Sequence, residues 1–198
     1  MKSGRRRNQI EDAVTGSFVQ VGETTIYQGH VLHVVQGVFR SPTGVEFRRD
    51  AVRSQGAVAV VAVRDGDDGP EAAIVKQYRP VLDTWMTEIP AGMRDKLGEE
   101  PVATAARELA EEAGLAATHY ELLTVFANAA GMTDQRTYVY LATGLTEVPT
   151  EADGVEEEYL ERGWMPLRDV TNLVATGVLC DAKTILGLML AREALSRR

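Results

Sequence analysis

Apolar residues recur first at every second position, then at every third or fourth, then at every second again, and these changes of period mark out the elements. After a polar stretch at 1–16, expected to be an unordered tail, come three β-rich runs: TTIYQ (24–28), HVLHVVQGVF (30–39) and VEFRRDAV (45–52). The turn SPTG at 41–44 joins the last two as a hairpin. GAVAVVAV at 56–63 is a near-continuous β-branched and alanine run, which predicts a strand buried on both faces. RDGDDGP at 64–70 reads as a hairpin loop and EAAIVKQYRP at 71–80 as the partner strand; WMTEIP at 85–90 leads into the next loop. Helical spacing then takes over. Pro101 suits a first helical turn and Gly114 the residue past the end, with Val102, Ala106, Leu109 and Ala113 expected to face the core. YELLTVFA (120–127) and RTYVYLAT (136–143) return to the strand pattern around a loop, NAAGMTDQ, whose small residues let backbone approach a ligand. DVTNLVATG and DAKTILGLMLAREALS read as helices with Asp169 and Asp181 as caps, the second packing through Ile185, Leu186, Met189, Leu190 and Ala194. From residue 56 the order strand–strand–helix–strand–strand–helix indicates an α/β protein.

Composition narrows the function classes. The 198 residues suit one domain with a small N-terminal addition. A net charge of −8 argues against a nucleic-acid surface and fits a protein that meets an anionic substrate through a bound cation. Cys180 is the single cysteine, which excludes an internal disulfide and suits a reducing, cytoplasmic compartment. No apolar run approaches the ~18 residues of a membrane span, and no apolar stretch follows the basic start MKSGRRRNQ as a secretory signal would need.

Candidate chemistry lies on the helix after Pro101. Glu108, Glu111 and Glu112 stand three and four residues apart, where like charges destabilise a helix by a few tenths of a kcal/mol per pair. Arg107, four residues before Glu111, relieves part of this. A solvated acidic face is one reading of such a cluster. The other is a hard divalent cation with oxygen ligands, Mg²⁺ or Mn²⁺.

The surrounding stretch EIPAGMRDKLGEEPVATAARELAEEAGL resembles the Nudix box: a glycine, a glutamate, then R-E-U-x-E-E-x-G-U, where U is bulky and aliphatic. Gly92, Glu99, Arg107, Glu108, Leu109, Glu111, Glu112, Gly114 and Leu115 fill its positions. Six residues separate Gly92 from Glu99, one more than the family pattern has, and the extra residue falls in a loop that absorbs it at little cost. The resemblance implies a Nudix-type α/β/α sandwich with a mixed central sheet, and hydrolysis of a nucleoside diphosphate linked to another moiety. Under it, Glu108 and Glu112 are the main metal ligands, Glu111 shares, and the Ala91 carbonyl joins them. Glu99 and Arg107 brace the loop and orient the carboxylates.

QYRP…WMTEIPAG is similar to the ADP-ribose pyrophosphatase branch, which implies cleavage of ADP-ribose to AMP and ribose 5-phosphate. In that branch residues 17–55 form a β-ribbon that builds a homodimer and contributes to the partner's substrate site, and residues 56–198 form the hydrolase domain. An ordinary sheet extension on a monomer is the alternative. Arg79 and Arg49 are the cations expected near the nucleotide, with Gly131 and Met132 on the substrate loop. Ala130 and Gln135 depart from the branch, whose ADP-ribose-specific members often carry a proline and an acidic residue there. EEEYLERGWMPL resembles the segment with an extra catalytic carboxylate, making Glu156 the base and Glu158 a metal contact, with Glu157 pointing the opposite way. The base is expected there because a cation lowers the pKa of the helix carboxylates bound to it. Two other functions stay open: a hydrolase of another nucleotide sugar such as GDP-mannose or ADP-glucose, and a non-catalytic ADP-ribose-binding regulatory module.

Overall fold

A computed structural model describes residues 17–150 and 159–197. Glu156, Glu157 and Glu158 lie outside the described residues. The chain divides into two compact units, the first running to Ser54 and including Gly131–Asp134, the second holding the rest.

The first unit is a three-stranded antiparallel sheet of β1 (Val19–Gln28), β2 (His33–Arg40) and β3 (Glu46–Arg53), in that spatial order. Gly44, at φ +87°, closes the β2–β3 hairpin, because a turn needing positive φ costs least at glycine. Phe39 stacks on Phe47 with ring centroids 5.7 Å apart, and the Arg49 guanidinium lies 4.9 Å from the Phe47 ring centroid. Gly131–Asp134 joins this unit through the Val52 N–H, which donates to the Met132 carbonyl at 2.8 Å, and through Arg53, which pairs with Asp134 at 3.1 Å. Every residue of β1 is exposed, including Val19, Val21, Ile26 and Tyr27.

In the second unit, β4 (Ala57–Gly66) runs through the middle of a seven-stranded sheet. Its other strands are β5 (Gly69–Arg79), β6 (Thr84–Glu88), β7 (Ala91–Met93), β8 (Leu115–Ala127), β9 (Arg136–Glu147) and β10 (Glu161–Pro166). The main order is β10–β5–β4–β9–β8, with β6 on β5 and β7 on β4. Only β4–β9 is parallel, so the sheet is mixed. Side chains of β4 alternate between two cores. Val58, Val60 and Ala62 pack with Ala105 and Leu109 of α1 (Pro101–Ala113). Ala59, Val61 and Val63 pack with the far helix layer, a 3-10 turn at Leu167–Asp169, α2 (Val170–Ala175) and α3 (Ala182–Ser196). One strand thus serves both faces of an α/β/α sandwich. Among the described residues no helix is long and apolar enough to cross a membrane.

Several local expectations are corrected. The 64–70 segment is not a loop: β4 runs to Gly66 and β5 starts at Gly69, leaving a two-residue turn at Asp67–Asp68. The short strand β7 gives no periodic signal over its three residues and escapes a pattern reading. Asp181 caps α3, accepting from the Thr184 N–H at 2.9 Å, but Asp169 makes no side-chain cap because the 3-10 turn already leads into α2. α3 is apolar nearly all round, so hydrophobicity does not select its face. The buried stripe is Thr184, Gly187, Leu188 and Ala191, and Met189 is exposed. Gly187 decides this. A Cβ there would stand 2.9 Å from Ile89 Cδ1 and 3.0 Å from Val61 Cγ2, so the helix comes closest to the sheet where it has no side chain. Likewise α1 buries Thr104, Ala105, Glu108, Leu109 and Glu112, while Val102 faces solvent.

Leu188→Ala should therefore destabilise the protein by about 2–5 kcal/mol, whereas Met189→Ala should stay within about 0.5 kcal/mol. Denaturant unfolding of the two variants checks this; equal losses would place the packing face elsewhere.

Candidate active site

α1 begins after Glu100, whose extended backbone (φ −66°, ψ 143°) feeds Pro101 into the first turn, and ends at Gly114 in the left-handed region (φ 66°). This fixes which residues of the helix look inward. Glu108 and Glu112 do, at 8% and 5% exposure, which is unusual for carboxylates. Beneath them passes β7, paired to β4 at Ala59–Ala91 and Val58–Gly92. A Cβ on Gly92 would lie 2.1 Å from the Glu108 carboxyl carbon, so glycine here is the seat of that carboxylate. Glu112 Oε2 accepts the Ala91 N–H at 2.8 Å. On β10, Arg162 donates from Nε to the Glu112 carbonyl at 2.5 Å, satisfying an orphan acceptor at the helix end.

Arg107 is the hub on the outer side. Its Nη1 lies 2.8 Å from both Glu108 Oε1 and Glu111 Oε2, and its Nη2 3.2 Å from Asp95 Oδ1 and 3.5 Å from Glu99 Oε2. Burial works to lower its pKa, but the charges of Glu108, Glu111 and Glu99 raise it further than burial lowers it. Glu99 also accepts from the Thr104 hydroxyl at 2.8 Å, and Arg94 holds the Glu99 carbonyl at 3.2 Å. The 94–100 loop is thus pinned at both ends, while Leu97 at its tip is 99% exposed.

Glu108, Glu111, Glu112, Ala91 and Arg107 line a cavity of about 440 Å³ built wholly from the second unit. Among the described residues no three acidic, histidine or cysteine side chains form a closed ligand set; Glu108 and Glu111 turn to Arg107. The donor chemistry nonetheless suits a hard cation. It is all oxygen, and buried carboxylates four residues apart repel each other unless positive charge is brought between them.

A second ionic cluster lines the same cavity. Glu88, at 2% exposure, accepts Arg79 Nε at 2.7 Å and Nη2 at 2.6 Å, and a third bond from Lys183 Nζ. Burial pushes the Glu88 pKa up, but Arg79 and Lys183 bring it below the ordinary carboxylate value. Lys183 also reaches Asp181 Oδ2 at 3.0 Å. Arg79, Asp181 and Lys183 are all on the cavity wall.

Arg79 and the helix carboxylates are therefore brought together, whereas Arg49, Gly131 and Met132 belong to the first unit. Glu99 stands behind Arg107, among neither the lining residues nor the deeply buried ones. Glu156 and Glu158 lie outside the described residues. Sequence reading missed Glu88, Asp181 and Lys183 as site residues. The available signal was positional: Glu88 ends a strand facing Val75, and Lys183 follows a helix cap by two residues.

The NUDIX domain matches residues 53–186. The ADP-ribose pyrophosphatase of Mycobacterium tuberculosis (strain ATCC 25618 / H37Rv) is 36% identical over 172 residues, 87% of this chain and 82% of its own. That of Bacillus subtilis (strain 168) is 36% identical over 164 residues, 83% of this chain and 86% of its own. The solved structure of an ADP compounds hydrolase matches with a TM-score of 0.79 at 22% identity, over 93% of this chain and 97% of that one, which shows the shared fold. A domain match spanning the carboxylate helix, the glycine that seats it and the sheet beneath means that this chain belongs to the NUDIX hydrolase family.

Proposed function

We propose that the protein hydrolyses the pyrophosphate bond of ADP-ribose, giving AMP and ribose 5-phosphate, with Mg²⁺ (or Mn²⁺) held by Glu108, Glu112, Glu111 and the Ala91 carbonyl. The observation that carries this reading is the pair of buried carboxylates seated on Ala91 and Gly92 in a cavity that also holds Arg79, in a chain 36% identical to two ADP-ribose pyrophosphatases. The bound cation would neutralise phosphate oxygens and lower the pKa of an attacking water. Arg107 keeps the carboxylates apart and aligned, and Glu99 anchors Arg107. Arg79 donates to the phosphates. Glu156 takes the proton from water and Glu158 supports the cation, an assignment that rests on the resemblance of EEEYLERGWMPL alone.

Two further parts of the proposal concern context. The exposed apolar residues along β1, at the edge of its sheet, support a homodimer built through the first unit, with Arg49, Gly131 and Met132 of that unit reaching the nucleotide. The free thiol of Cys180 suits a cytoplasmic setting. A second substrate reading, another nucleotide sugar such as ADP-glucose or GDP-mannose, is favoured by Ala130 and Gln135 on the substrate loop.

Incubation with ADP-ribose and Mg²⁺ should yield AMP and ribose 5-phosphate by chromatography, at higher kcat/KM than with ADP-glucose or GDP-mannose; the reverse order would sustain the second reading. Glu112→Gln should lower kcat roughly a hundredfold or more. It should also abolish the rise in Tm that Mg²⁺ gives the wild type, and turnover at the wild-type rate would dismiss the helix as metal site. Glu156→Gln should cut kcat with little change in KM while Glu157→Gln behaves as wild type; a damaging Glu157→Gln would shift the register by one. Sedimentation should return a dimer at micromolar concentration, and deletion of residues 1–52 a less active monomer.

A further inference from the structure

The Glu88 cluster is more elaborate than burial of one carboxylate requires. A single bidentate arginine would satisfy Glu88, yet Lys183 is also drawn onto it from the first turn of α3. The donors not used on carboxylates are informative. Arg79 presents the Nε–Nη2 side of its guanidinium to Glu88, and its Nη1 donates to nothing among the described residues. An arginine has two such forks, so the Nη1–Nη2 fork is available to a bidentate anion. Lys183 has three ammonium protons, of which Glu88 and Asp181 take two. Both cations line the cavity that holds Glu108, Glu111 and Glu112.

We propose that Lys183 is a substrate-positioning residue, forming with Arg79 a two-cation grip on the phosphates of a nucleoside diphosphate, and that buried Glu88 holds both cations ready for it. The inference rests on the proposed pyrophosphatase reaction and adds to it a second cation and the carboxylate that organises the pair. A lysine free in solvent gives up rotamer freedom when it binds an anion. Lys183 is already fixed between two carboxylates, at 16% side-chain exposure, so ordering it on binding costs little. Asp181 serves two ends at once, since the oxygen that caps α3 at the Thr184 N–H is also the one that holds Lys183. The start of the helix therefore places the ammonium. Around the carboxylates of α1 an incoming diphosphate meets negative charge, and the grip supplies attraction that the helix does not.

The test compares Lys183→Met, Lys183→Arg and Glu88→Gln with the wild type in Mg²⁺. It reads steady-state kinetics on ADP-ribose and calorimetric binding of the non-hydrolysable α,β-methylene ADP. Lys183→Met should raise KM and weaken binding by about tenfold or more, with kcat within about threefold, and Lys183→Arg should recover most of the loss. A purely structural lysine would instead lower Tm and leave KM and Kd of the folded fraction unchanged, and that result overturns the proposal. Should Lys183→Met fail to fold, Glu88→Gln, which keeps the shape but removes the charge, must raise KM; an unchanged KM is equally fatal. The binding arm separates the two claims. Lys183-dependent binding in a protein that does not cleave ADP-ribose would refute the substrate and sustain the grip. Cleavage of ADP-ribose with unaltered Lys183→Met kinetics would do the opposite.

Discussion

The second unit depends on one close approach: the Glu108 carboxylate lies where a side chain of residue 92 would have to be. A helix that buries a charged side chain on its inward face needs a hollow to receive it, and the backbone of β7 at Gly92 provides one. Any other residue there would drive the Glu108 carboxylate out of this seat. The apolar contact of Ala105 and Leu109 with β4 holds the helix down on the same face. Packing and chemistry thus constrain each other through a single backbone position.

Two ways of burying negative charge coexist a few residues apart in sequence. Glu88 is satisfied within the chain by fixed cations, with every strong bond already made. Glu108 and Glu112 are also buried, with the Arg107 guanidinium against the first and the Ala91 N–H on the second. The first arrangement is rigid by construction. The second sets two buried carboxylates four residues apart on one helix, a state that added positive charge would stabilise.

Much of the fold was legible in the sequence because long periodic segments state their own class. The buried run of β4, the Pro101-to-Gly114 helix and the paired strands around residues 120–143 all have unambiguous patterns. What was not legible depended on competition between elements. Hydrophobicity marked Val102 and Met189 as core, yet the sheet took Thr104 and Gly187 instead, since close approach favours small residues over greasy ones. The helix carboxylates were visible as a like-charged cluster, whereas the Glu88 cluster was hidden. Its members lie on β5, β6 and α3, and nothing local joins residue 79 to residue 183.

The loop between Gly92 and Glu99 carries an extra residue, and the way it is fastened says what that means for descent. The Arg94 N–H donates to the Gly56 carbonyl at 3.0 Å, Asp95 pairs with Arg107, and Glu99 accepts from Thr104, so the fastenings lie on the two stems rather than the tip. Between them Lys96, Leu97 and Gly98 project into water, with Gly98 at φ +80° making the bend. Lengthening by one residue there perturbs closure entropy by only a fraction of a kcal/mol. Selection can see the stems but hardly the tip, so its length is free to drift between lineages. A pattern with a fixed interval would pass over this chain, in which Gly92, Glu99 and Arg107 are all present and only the slack between the first two differs.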